Sequence, residues 1–116
     1  MQFNSFEQLR TLVEENGNLL SVSMFNLREA HGAGKLGIHV RREISEKLAG
    51  TGLGHFPAEL PPYQEQDVRI YRRGTPVADI VDAVLSPSDF GDQRLREASG
   101  GEAADLLKKV RQLVCE

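Results

Sequence analysis

Residues 23–50, SMFNLREAHGAGKLGIHVRREISEKLAG, carry two apolar stripes separated by a cluster of glycines. Ser23 can accept a hydrogen bond from an amide of the turn that follows it, which marks a helix start. Met24, Leu27 and Ala30 then recur at helical spacing, so a short helix is predicted up to His31-Gly32. Gly32-Ala33-Gly34 supplies a tight turn. A second helix is predicted from about Lys35 to Ala49, because Leu36, Val40, Ile44 and Leu48 fall every fourth residue and form one buried stripe. Ile38, His39, Arg41, Arg42, Ser45 and Glu46 lie off that stripe. Gly50-Thr51-Gly52 ends the helix.

Upstream, Ser5 and Gln8 have the spacing of a capping box. Phe6, Leu9, Leu12 and Val13 give the helix behind it one apolar face, and Asn16-Gly17 stops it. Leu19–Ser23 reads as a brief strand. Downstream, Leu53-Gly54-His55-Phe56 reads as a second strand, stopped by Pro57. Residues 57–67, PAELPPYQEQD, hold three prolines and no apolar periodicity, which predicts a loop. Val68–Arg72 alternates apolar and basic residues as a half-buried strand does.

Thr75 caps a further helix with Pro76 at its first position, where a missing amide hydrogen costs nothing. Val77, Ile80, Val81, Val84 and Leu85 form its apolar face, with Asp79 and Asp82 pointing away. Residues 86–101, SPSDFGDQRLREASGG, read as a linker with room for one helical turn near residues 93–98. The last helix is predicted from about Glu102 to Val114. Leu106, Leu107, Val110, Leu113 and Val114 share its stripe, and Lys108, Lys109 and Arg111 come late, as the helix dipole favours. The expected class is α+β, mainly helical: a domain over residues 1–85, a linker over 86–101, and an amphipathic C-terminal helix over 102–116. That helix either packs on the helix from Thr75 to Leu85 or pairs with its equivalent in a second copy, as a dimerisation element.

The bulk composition excludes several classes. The 116 residues suit one domain, and 40% apolar with 27% charged residues is an ordinary globular mix. No apolar run is long enough for a membrane span. The first residues lack the basic start and apolar core of a secretory signal, so cytoplasmic residence is the default expectation. Cys115 is the lone cysteine and has no internal disulfide partner. His31, His39 and His55 share no metal-ligand spacing, so neither metal nor cofactor is expected. Gly32-Ala33-Gly34-Lys35 lacks the phosphate-loop pattern, since Glu29 and Leu36 stand where glycine and serine or threonine are needed. Ser21 and Ser23 have no nucleophile-elbow context. No enzyme is expected.

Net charge is −3, but it is unevenly spread. Residues 28–73 hold eight bases and six acids, whereas both flanks are acidic. The element order is helix, strand, helix, turn, helix, strand, loop, strand, helix, which is the order of a winged helix-turn-helix domain with a small β-hairpin. Over residues 22–73 the chain also resembles small prokaryotic winged-helix domains. The likeness rests on Leu27-Arg28-Glu29, Gly34-Lys35-Leu36-Gly37, Val40, Ile44, Leu48, Gly52-Leu53 and Pro57.

The resemblance implies that the second helix of the pair is a recognition helix entering the major groove of double-stranded DNA. Lys35, His39, Arg41 and Arg42 occupy that helix here. Arginine would read guanine and lysine would neutralise phosphate. Arg72 and Arg73 would add backbone contacts, unless Arg69, Arg72 and Arg73 only blunt a strand edge. A DNA-binding transcriptional regulator, or a repressor of the phage or defence type, is therefore expected. The loop between the strands carries Glu59, Glu65 and Asp67 and no base, which would confine the grip to the helix. Glu43, Glu46 and Lys47 share the helix, so its bases also fit a solvated mixed-charge face. The alternative is a protein-interaction module on the same scaffold, which rests on the net negative charge, the acidic proline-rich loop and the apolar C-terminal helix.

Overall fold

In the computed structural model, which describes residues 2–98, the hydroxyls read as helix caps act as caps. The Gln8 amide donates to Ser5 Oγ at 3.1 Å and opens α1 (Phe6–Glu15). The Gln8 side chain reaches back as expected, but to the Asn4 amide, at 2.7 Å, one residue earlier than a capping box requires. Gly17 and Asn18, both at positive φ, turn the chain into β1 (Leu19–Ser23). The Asn26 amide donates to Ser23 Oγ at 3.1 Å and opens α2 (Met24–His31), which closes on Gly32 at φ 83°.

α3 (Ile38–Gly50) begins three residues later than the apolar spacing predicts. Lys35 and Leu36 belong to the turn, and Gly37 is an N-cap without a side chain to offer. Leu36 still packs against the core from the turn, which explains why it keeps step with Val40, Ile44 and Leu48. β2 (Leu53–Phe56) and β3 (Asp67–Arg72) follow, and Thr75 Oγ1 accepts from the Ala78 amide at 3.3 Å to open α4 (Pro76–Leu85).

The strands form one antiparallel sheet in the order β1-β3-β2. Val22 pairs with Val68 on one side of β3, and Gly54 pairs with Tyr71 on the other. β3 is therefore the central strand, and Arg69 and Arg72 do not blunt an edge. Val22, Leu53, Val68 and Ile70 join residues of α1, α2 and α3 in a single buried cluster. Leu9, Leu27, Ile44 and Leu48 are fully buried there, and each such side chain contributes roughly 1.5–3 kcal/mol relative to exposure. The result is an α+β fold, about half helical, with a small three-stranded sheet.

The chain divides into two compact units, Met1–Ala78 and Asp79–Glu116. In the second, residues 89–98 are helical, within the stretch expected as a linker. The Arg94 guanidinium lies 3.4 Å from the Asp79 carboxylate. On α4 only Ala78 is buried. Ile80, Val84 and Leu85 of its predicted apolar face are exposed. Leu106, Leu107, Val110, Leu113 and Val114 lie outside the described residues. Among the described residues, no helix is long and apolar enough to cross a membrane.

Candidate nucleic-acid interface

The basic side chains of residues 28–73 divide into those committed to internal acceptors and those left exposed. Arg28, on α2, donates to the Gly34 carbonyl at 3.2 Å and to Gln64 Oε1 at 3.0 Å, and it stacks over the Phe25 ring at 5.0 Å. It thus clamps α2, the turn and the loop after β2 together. His31 Nε2 meets Glu43 Oε2 at 3.0 Å and ties the end of α2 to α3. Arg41 donates to the Leu60 carbonyl at 3.1 Å, and its Nε is buried without a hydrogen-bond partner among the described residues. Arg72 donates to the Gly52 carbonyl at 2.7 Å and to the Arg73 carbonyl at 3.2 Å, closing β3 onto the end of α3.

Lys35, His39, Arg42 and Arg73 are exposed, and none of their side chains makes a hydrogen bond or ion pair among the described residues. His39 and Arg42 lie three residues apart in the first half of α3, and Lys35 lies in the turn before it. Arg73 does not join them, because its amide bonds to Gly52 beyond the other end of that helix. Thirteen residues of α3 put about 20 Å between its ends. Of the six basic or imidazole groups expected at the interface, Lys35, His39, Arg42 and Arg73 are exposed, and of these His39 and Arg42 share the first half of α3. Arg41, beside Arg42, is a strut to the Leu60 carbonyl, and Arg72 and Arg73 lie at the opposite end.

The loop between β2 and β3 is not a projecting tip. Leu60 is 4% exposed and belongs to the core cluster. The Met24 and Phe25 amides donate to the Gln66 and Gln64 carbonyls, both at 2.9 Å, so the loop returns along the start of α2. Its acids Glu59 and Glu65 remain exposed, as does Asp67 at the start of β3. Ile38 at 60%, Tyr63 at 58% and Phe25 at 41% exposure add apolar surface on α3, the loop and α2.

An open groove of about 260 Å³ runs between α3 and this loop, lined by Ile38, Arg41, Arg42, Ser45, Glu59 and Leu60. Along its α3 wall, Ser45 Oγ lies 2.8 Å from His55 Nε2, and His55 Nδ1 lies 2.8 Å from the Pro57 carbonyl. Ser45 and His55 were not singled out as site residues by sequence reasoning. The only signal was the position of Ser45, one turn after Arg42 and off the buried stripe. A larger groove of about 500 Å³ lies in the second unit, but Asp79 and Asp82 line it against Arg94 alone, which does not suit a polyanion. Among the described residues, no three histidine, cysteine, aspartate or glutamate side chains come together as a metal set.

No protein-family model matches the chain, and neither curated proteins nor solved structures include a match.

Proposed function

We propose that this chain is a winged helix-turn-helix domain that binds double-stranded DNA through the exposed face of α3 and the turn before it, as a prokaryotic regulator or repressor would. The element order α1-β1-α2-α3-β2-β3 with sheet order β1-β3-β2 supports the fold reading. The observation that carries the function is that Lys35, His39 and Arg42, in the first turns of α3 and the turn before it, are exposed and make no hydrogen bond or ion pair among the described residues. Phosphate contact by Lys35 and base contact by Arg42 follow from their chemistry. The acidic rim at Glu59 and Glu65 keeps the duplex backbone off the loop, so the grip is narrow. The apolar stripe at Leu106, Leu107, Val110, Leu113 and Val114 is the proposed dimerisation element, which would present two such helices to two half-sites.

The test is a fluorescence-anisotropy titration of the full chain against random-sequence duplex DNA, at low and then at physiological salt. Binding that weakens steeply with salt is expected. A flat curve at low salt would sink the reading. Weight would then pass to a protein-interaction module, which the exposed Ile38, Tyr63 and Phe25 favour.

A further inference from the structure

His55 stands between two oxygen atoms and, as a neutral ring, has one proton to give. The Pro57 carbonyl can only accept, so Nδ1 carries the hydrogen. Nε2 is then a lone-pair acceptor, and the Ser45 hydroxyl 2.8 Å away must donate to it. The hydroxyl hydrogen of Ser45 is therefore engaged, and the oxygen offers the groove only lone pairs. Glu59, which also lines this groove, is another acceptor. Arg41 and Arg42 supply the donors of this groove, so Ser45 Oγ and Glu59 are its acceptors, and an N–H donor is matched at Ser45.

Ile38, Arg42 and Ser45 follow one another at four- and three-residue intervals, so they form one stripe along α3. Its sequence of chemistries is apolar, then a donor fork, then an obligate acceptor. The major groove displays their counterparts: the thymine methyl, guanine O6 and N7, and the exocyclic amines of cytosine and adenine.

Resting on the DNA-binding reading, we propose that Ser45 is a specificity-determining residue that accepts from an exocyclic base amine, cytosine N4 or adenine N6. His55 is the positioning residue that makes it an acceptor. The relay from Pro57 through His55 to Ser45 removes the ambiguity of a free serine, which would accept or donate and so tolerate every base.

The experiment is selection of bound sequences from a duplex library with a randomised site, using the full chain and three variants, with thermal melting to verify folding. Wild type should enrich an amine-bearing base at one position beside the guanine set by Arg42. Ser45→Ala should lose about two- to tenfold of discrimination there, the range one hydrogen bond supplies, and keep the guanine preference. His55→Phe should free the Ser45 hydrogen, so that bases presenting carbonyl oxygens become acceptable at that position. His55→Gln, whose carbonyl oxygen can accept in place of Nε2, should return the wild-type preference. If His55→Phe does not fold, Ser45→Ala and His55→Gln decide the question. Identical base preferences for wild type and Ser45→Ala would overturn the proposal. Retention of duplex without preference at any position would overturn it while leaving DNA binding intact. Failure of wild type to retain any duplex at low salt would overturn both.

Discussion

Gly54 of β2 lies beneath the ring of Tyr71, its register partner on β3. A Cβ at position 54 would stand 2.7 Å from Tyr71 Cε2, well inside contact distance. Gly54→Ala must displace either the ring or the strand. A loss of about 1–3 kcal/mol is expected, as for other overpacked sites. Urea denaturation reads it as a lower midpoint at unchanged slope. Placing Tyr71→Ala in the same chain should remove most of the added cost, because the two changes act on one contact.

Arg28 is irreplaceable by lysine for a geometric reason. Its guanidinium serves the Gly34 carbonyl and Gln64 Oε1 at once while lying flat over Phe25. A lysine ammonium is a single point on a flexible stem and cannot hold that arrangement. Arg28→Lys should cost about 1–3 kcal/mol, the value of hydrogen bonds to a charged donor. Chemical denaturation measures it, and a stability equal to wild type would show that the clamp carries no weight.

Leu60 anchors the loop between β2 and β3 to the core. Leu60→Ala should destabilise the fold by about 2–5 kcal/mol, as truncated core leucines do. The loop itself should then become the first site of limited proteolysis, with cuts between residues 57 and 66 preceding global unfolding. Cleavage that begins elsewhere would contradict the anchoring role.

Salt dependence separates the two ends of α3. Lys35→Ala should reduce the slope of log affinity against log salt by about 1, as loss of one phosphate contact does, whereas Arg42→Ala should cost about 1–3 kcal/mol of affinity and relax the preference for guanine. Arg73→Ala should leave the slope unchanged, because Arg73 lies beyond Gly52 at the far end of the helix. A loss of slope on Arg73→Ala would move the interface towards the strands.

Local chemistry was readable in the chain wherever a single residue determines the outcome. Ser5, Ser23 and Thr75 open their helices, and Leu53–Phe56 forms its strand between Gly52 and Pro57. The start of α3 was misplaced because a turn residue, Leu36, buries itself in step with the helix stripe. The central position of β3 was hidden, since sheet order depends on pairing between distant segments. The roles of Arg41 and Arg72 were hidden for a related reason. Their partners are the Leu60 and Gly52 carbonyls, and every residue has a carbonyl. Side-chain composition therefore marks which groups are cationic but not which of them the fold consumes. Ser45 and His55 depend on the same long-range placement, ten residues apart across a helix end and a strand.

The loop after β2 is held by its hydrophobic anchor, its arginine struts and its main-chain bonds to α2, all from within the fold. Its conformational freedom is thus lost on folding and not on association. Under the DNA-binding proposal, a surface prepared in this way would meet the duplex as a rigid body. Encounter would then need no slow closing step, and the entropy of ordering a loop would be absent from the affinity. Selectivity at the groove would depend on steric and polar fit at first contact, so a mismatched duplex would be rejected by rapid dissociation and not by a failed rearrangement.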